Sequence, residues 1–371
     1  MPGKKACRKR FVRHAFSCPA FESKKRGNIR MLAIFLAPVY ILANVFTAYW
    51  LLRWMKEVHP LFRHPAVLGV ILVLYAFFAL SLLTSFLIKR DPVHRILKVI
   101  SNCWLGMYLY FLGFTAILVL LRFIFAHTAL TKTWLYSPMG LKAVGLGAIL
   151  FVTGMCIYGM VHAVHIYTTR YEVPSKKDAH LKIALVADLH LGYSIGSHQM
   201  EEMVEKINAE EPDVVVIAGD IYDNYNPSAM AEQLFYDTLK QLSRNGDCMT
   251  VVIAGNHDNP ERLVASGPLA RDHGIVMAGT PNSVITPGMY GKNEITESAA
   301  GYIHAIIHGE EADILLVPFP SEKRLNEVYL DETEEETKKA ASYSEKMSSL
   351  FGSLATHFHE DSIHLIASHL F

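Results

Sequence analysis

The feature that most restricts this chain is a set of four apolar stretches, each close to the ~20 residues that a helix needs to cross a hydrocarbon core. They cover residues 31–52, 66–88, 99–121 and 143–166, with short charged breaks at 53–65, 89–98 and 122–142. Helices of a water-soluble bundle would carry a polar stripe. None of the four has one, so they are expected to be transmembrane helices in a lipid bilayer.

Orientation follows from the Lys/Arg count of the short flanks, whose excess stays on the cytoplasmic side. Residues 1–30 hold ten; Lys89, Arg90, Arg95 and Lys98 fill the second break, and Arg170, Lys176, Lys177 and Lys182 follow the last span. The first and third breaks hold three each. The count predicts a multi-pass protein of the cell membrane with both ends cytoplasmic. The chain thus divides into a basic tail (1–30), a four-helix transmembrane domain (31–166), a linker (167–180) and a globular body (181–371). His162 and His165, near the end of the last span, read as interfacial side chains that snorkel toward water.

The whole chain carries 35 Lys/Arg and 35 Asp/Glu, yet residues 166–371 keep 15 of the bases and 32 of the acids. Such a body has no general attraction for a phosphate backbone, so any nucleic-acid reading must rest on a local site. The cysteines at 7, 18, 103, 156 and 248 are odd in number and form no C-x-x-C pair. Neither a disulfide framework nor a thiolate zinc site follows from them.

Past residue 173 the texture changes to short apolar runs alternating with amphipathic stretches, the pattern of an α/β or layered α+β body. Buried strands are expected at 183–187, 214–218, 250–254, 314–317 and 363–367. Helices are expected at 198–209, at 228–244 with Ser228 as N-cap, at 261–272 and at 334–359. The acidic run 331–336 reads as a solvated helix start.

Four of the strands are followed by metal-friendly side chains. The first leads into Asp188-Leu189-His190, the second into Gly219-Asp220-Ile221-Tyr222-Asp223, the third into Gly255-Asn256-His257-Asp258 and the last into Ser368-His369. Open α/β sheets place their sites at that edge. Carboxylate, imidazole and amide oxygen without thiolate suit manganese first, with iron or zinc as alternatives. Asp220 could bridge two such ions, and a pair of ions clamps a phosphoryl group for in-line hydrolysis. His257 is placed to protonate the leaving oxygen, with Asp258 orienting its imidazole. His304, His308, His357, His359 and His364 read as solvated or packing histidines, and Asp223, Arg262 and Tyr193 as turn or surface residues near the cleft.

D-x-H, G-D-x-x-D and G-N-H-D, in this order and each after a strand, resemble the calcineurin-like metallophosphoesterase superfamily over residues 180–371. The resemblance implies a β-sandwich flanked by helices with a dinuclear centre. Asp188 and His190 would bind the first divalent ion, Asp220 would bridge, Asn256 and His369 would bind the second, and His257 would be the catalytic histidine. The family closes its site with G-H-x-H, and this chain reaches Phe371 before any such motif. The resemblance therefore implies a fragment or a poor catalyst, with apolar sheet edges left open.

The four spans plus Asp188-Leu189-His190-Leu191-Gly192-Tyr193 are similar to membrane-anchored bacterial phosphoesterases of this superfamily. Residues 255–263, 318–322 and 368–371 are similar to the bacterial SbcD exonuclease subunit, as a join of two relatives near Gly219-Asp220 would be. The leading expectation is a membrane-anchored hydrolase of phosphomono- or phosphodiesters. The alternatives are an SbcD-like exonuclease subunit acting on DNA with an SbcC-type ATPase, and a non-catalytic membrane protein whose degenerate phosphoesterase body binds a partner.

Overall fold

The computed structural model describes residues 19–88, 90, 93–124, 137–173, 180–192, 195–321, 324 and 336–370. The start of the basic tail, Lys89, Lys176, Lys177, Tyr193 and residues 331–335 of the acidic run lie outside the described residues. The chain forms two compact units, one ending at Tyr158 and the other beginning at Gly159.

The first unit is built from helices α1 (Pro19–Val58), α2 (Pro65–Leu87), α3 (Val93–Ile124) and α4 (Pro138–Val164). Each contains a segment long and apolar enough to cross a membrane: Leu36–Val58, Pro65–Ser85, Ile96–Leu118 and Pro138–Val164. Proline opens α2, where the missing N–H costs nothing, and the His64 ring accepts the N–H of Ala66. Ser137 caps α4 by accepting from Gly140 N at 3.0 Å.

Large apolar side chains such as Leu42, Val73 and Phe123 face outward. The inward groups are partly polar. Tyr40 donates to Ala79 O at 2.8 Å and accepts from Trp104 Nε1 at 3.0 Å, while Tyr75 donates to Asn44 Oδ1 at 3.0 Å. Thr47 and Tyr108 meet at 3.3 Å, which joins α1 and α3 by neutral hydrogen bonds.

The second unit is a two-sheet sandwich. The first sheet is parallel, in the order β1 (Ile183–Val186), β2 (Val214–Ala218), β3 (Met249–Ile253), β4 (Ile275–Ala278). Helices α5 (Ser197–Ala209) and α6 (Ala229–Leu242) follow its first two strands, and the short α7 (Pro260–Val264) and α8 (Gly267–Ala270) follow the third. Ser228 caps α6 as expected, accepting from Ala231 N at 3.3 Å.

The second sheet runs β5 (Gly288–Tyr290), β6 (Asn293–Ala299), β7 (Tyr302–Ile307), β8 (Glu310–Val317), β9 (Ile363–Ser368). Its members pair antiparallel except β9, which lies parallel to β8 after helix α9 (Glu336–Ala355). Val214, Val216, Met249 and Val251 meet Ile295, Ile303, Ala305 and Ile314 between the sheets. Val215, Ile217 and Val252 pack outward against Phe235, Leu239 and Met203, and Tyr302, Leu315 and Val317 pack against Leu354. The layers are therefore helix, sheet, sheet, helix, as the expected flanked sandwich requires.

Three expectations are corrected here. The single helix expected at 261–272 is two short ones, because the Ser266-Gly267-Pro268 step interrupts it. Strands β4 to β7 were not anticipated. Finally, β1 and β9 are not buried on both faces: they are the edges of their sheets, with Leu185 70% and Ile366 55% exposed.

Phe235 is fully buried against Tyr222 at 5.6 Å between ring centres, and Cys248 lies in the same core. Burial pushes the Cys248 thiol up to about 11. Phe235→Ala is expected to cost about 3–5 kcal/mol and to accelerate alkylation of Cys248, read by peptide mass spectrometry. An unchanged rate would contradict this packing.

Candidate metal centre

The register pairs Val186 with Ile217 and Ala218 with Ile253, so β1, β2 and β3 end side by side. The segments leaving them continue the ladder for a few residues. Asp188 N donates to Gly219 O at 3.2 Å, His190 N to Asp220 O at 2.9 Å and Leu191 N to Ile221 O at 2.8 Å. Asp188, His190 and Asp220 are held at φ of 55°, 45° and 48°. This left-handed region costs a non-glycine residue of order 1–3 kcal/mol, and such strain clusters at functional sites. Its effect is to turn three successive metal-friendly side chains toward one cleft.

The fourth contribution crosses the sandwich. β9 belongs to the second sheet, and its end brings His369 to β2, where the ring Nδ1 meets Ala218 O at 2.8 Å. Two glycines allow this approach. A Cβ on Gly219 (φ 81°) would lie 2.5 Å from the His369 ring, and one on Gly255 would lie 2.1 Å from Asp220 N. The cleft of about 560 Å³ is lined by Asp188, Asp220, Asn256 and His369, with Leu185 and Ile366 as its apolar wall.

Asp220 is the centre of the arrangement, with its side chain 6% exposed. Its Oδ1 accepts the His257 N–H at 2.9 Å and lies 3.6 Å from His369 Nε2. Its Oδ2 lies 3.8 Å from His190 Nε2 and 3.9 Å from His257 Nε2. Asp188 Oδ1 stands 3.9 Å from the same His190 nitrogen. All four ion-pair separations exceed hydrogen-bond reach.

The donor set fits divalent cations for a second reason. A proton on His369 Nδ1, donated to the Ala218 carbonyl, leaves Nε2 with a lone pair. That lone pair faces Asn256 Oδ1, another acceptor, at 3.2 Å. Two acceptors pointed at each other, beside a nearly buried carboxylate, leave room for positive charge and for nothing else. Nitrogen and oxygen donors without thiolate match manganese, iron or zinc.

Asp258 behaves differently from the expectation. It is fully buried, and its carboxylate accepts from Gly255 N at 2.8 Å, Tyr222 N at 3.0 Å and Ile221 N at 3.2 Å. Burial pushes its carboxyl up, and the three N–H groups oppose that rise. It binds the turn after β3 to the turn after β2, and the carboxylate facing the His257 ring is that of Asp220.

Arg324, which the motifs did not reveal, donates to Gly255 O at 2.8 Å and Asp258 O at 2.7 Å with its guanidinium over Phe319. Arg262 is held by Glu232 in a two-pronged ion pair at 2.6 and 2.7 Å, and Asp223 accepts from Asn224. Of the five histidines expected to be unpartnered, His304 and His359 bond Asp313, and His308 bonds Asp213 at 2.8 Å.

Asp258→Asn replaces one acceptor oxygen with a donor facing buried N–H groups, at about 1–3 kcal/mol for each group left unsatisfied. The variant is expected to lose at least about 2 kcal/mol of stability, read by Cys248 protection in denaturant. Unchanged stability with slowed turnover would instead restore Asp258 to the role of orienting His257.

The calcineurin-like phosphoesterase family matches the chain over residues 181–339. The chain is also similar to SbcD, one of the two components of the SbcCD nuclease of Bacillus subtilis (strain 168), with 36% identity over 199 residues. That alignment takes in 52% of this chain and 47% of the relative, so the chain spans about half the length of the curated protein it matches. The strand-end motifs, the two-sheet body and these matches agree: the C-terminal half of the chain is a calcineurin-like phosphoesterase domain.

Proposed function

We propose that this protein is a membrane-anchored, metal-dependent phosphoesterase that hydrolyses phosphomono- or phosphodiesters on the cytoplasmic side of the cell membrane. The observation that carries the reading is the convergence of Asp188, His190, Asp220, Asn256 and His369 on one cleft, with imidazole and carboxylate donors 3.6–3.9 Å apart. Residues 31–166 would be the anchor, 167–180 the linker and 181–371 the catalytic body.

Asp188 and His190 would hold one ion, Asn256 and His369 a second, and Asp220 both. Two divalent ions, manganese in the first instance, supply charge that polarises a phosphoryl group and lowers the pKa of water. The remaining work belongs to side chains of the chain itself. His257 is half exposed at the cleft, its backbone fixed by Asp220 Oδ1 and its ring edge-on to His190 at 5.2 Å between centres. It would donate a proton to the departing oxygen as the P–O bond breaks. Leu185 and Ile366 give the substrate an apolar flank.

The similarity to an SbcCD nuclease component favours a second reading, in which the ester is a DNA backbone and an SbcC-type ATPase is the partner. The excess of 32 acids over 15 bases in residues 166–371 weighs against broad contact with DNA. Hydrolysis that depends on a DNA end would establish the nuclease reading, and activity confined to small phosphodiesters the first.

With manganese supplied to chelator-treated protein in detergent, Asp220→Asn is expected to lose bound manganese and at least ~100-fold in kcat/KM on a 4-nitrophenyl phosphodiester. His257→Gln is expected to retain manganese and to slow an alkyl phosphodiester by ~10²–10⁴-fold, with a smaller loss on the 4-nitrophenyl ester, whose leaving group needs no proton. Equal loss on both substrates would remove His257 from the acid role. Wild-type protein that binds no manganese would favour the non-catalytic alternative.

A further inference from the structure

A second constellation lies on the outer face of the second sheet. The register places Glu297 beside His304, His304 beside Asp313 and Asp313 beside His364, a polar row running from β6 to β9. Glu311 precedes Asp313 by two residues on β8 and shares its face. His359, in the turn between α9 and β9, closes over the row.

Asp313 is fully buried and its lone pairs are committed. Oδ1 accepts from Tyr302 Oη at 2.6 Å, His304 Nδ1 at 2.8 Å and His359 Nδ1 at 3.1 Å. Oδ2 accepts from His359 N at 2.7 Å and from the Ser362 hydroxyl. With both Nδ1 atoms donating, each ring turns an Nε2 lone pair away from Asp313.

What the Nε2 atoms face is acidic. His304 Nε2 lies 3.9 Å from Glu311 Oε2, and its side chain is 9% exposed. His359 Nε2 lies 3.8 Å from Glu297 Oε2, and the two rings stand 4.4 Å apart at 55°. Both separations are beyond hydrogen-bond reach. Neither carboxylate has another ion pair among the described residues, and both are exposed and able to swing. Ligands at 2.0–2.2 Å around a tetrahedral zinc stand ~3.3 Å apart, within a small side-chain rotation of these distances.

We infer that His304 Nε2, His359 Nε2, Glu297 and Glu311 form a zinc-type cation site separate from the centre at the strand ends. Asp313 acts as the buried support that orients both imidazoles from behind, the usual partner of a metal-bound histidine. The bound ion fastens the turn between α9 and β9 to the sheet, and so steadies the strand that carries His369.

The test uses the full chain in detergent with Asp188→Asn and Asp220→Asn in place, so that the strand-end centre does not mask the result. After chelation and dialysis against zinc alone, one zinc per chain is expected by elemental analysis. Cobalt in its place should give the intense visible absorption of a tetrahedral site. His304→Ala should remove both signals, and Glu297→Gln with Glu311→Gln should weaken zinc binding at least tenfold. If His304→Ala misfolds, as judged by Cys248 reactivity, the exposed glutamate pair decides the matter. Zinc content unaffected by the glutamate pair, or a parent that takes up no zinc, would overturn the site. Neither result bears on hydrolysis at the other centre, which is read with manganese in the unsubstituted chain.

Discussion

A carboxylate sunk where two sheets meet must be matched by positive charge, and most of the soluble unit's design follows from that requirement at Asp220. Among the described residues its ion-pair partners are all histidines, none within 3.5 Å, and its one hydrogen bond of that kind comes from a backbone N–H. Taking such a charge out of water costs several kcal/mol unless it is compensated. The parallel order of β1, β2 and β3 brings the compensating groups to one edge. The glycines at 219 and 255 let β9 and the β3 turn come close enough to complete the ring of donors.

The parts of this design that were legible in the sequence are those that local chemistry determines. β2 and β3 are buried on both faces, which demands an uninterrupted apolar run, and both were found within a residue of their bounds. β6 was invisible because its outer face is polar: Glu294, Thr296 and Ser298 alternate with residues that pack or pair. Asp258 was misread because adjacency to His257 invites pairing, whereas the turn directs the two side chains apart and leaves Asp258 among backbone N–H groups. Arg324 could not have been found, since the turn it braces lies 69 residues earlier. The partners of His304 and His359 depend on the register of strands that were themselves missed.

The first unit shows a similar limit. A count of charged residues finds little inside its helices, yet Asn44, Thr47, Tyr40 and Tyr108 form a neutral hydrogen-bonded network there. In lipid the hydrophobic effect does not draw apolar helices together, so packing and interhelical hydrogen bonds must do so. Trp104, stacked on Tyr108 at 6.0 Å and donating to Tyr40, supplies both at one point. Four spans held in this way are an anchor with a defined core, in contrast to independent hydrophobic tethers.

The two histidine-carboxylate clusters of the soluble unit use the same residue types to opposite ends, and distance separates them. Asp313 accepts imidazole nitrogens at 2.8 and 3.1 Å, so its charge is satisfied from within and its histidines are free only on their outer edges. Asp220 holds its imidazoles at 3.6–3.9 Å, so its charge is unsatisfied and it must itself be a ligand. His369 belongs to the second cluster but follows the logic of the first, with Nδ1 fixed by a buried oxygen and Nε2 turned toward the cleft. An imidazole anchored on one nitrogen presents the other at a fixed angle. That pre-set geometry is what the sheets contribute to both clusters, and it exists before any cation arrives.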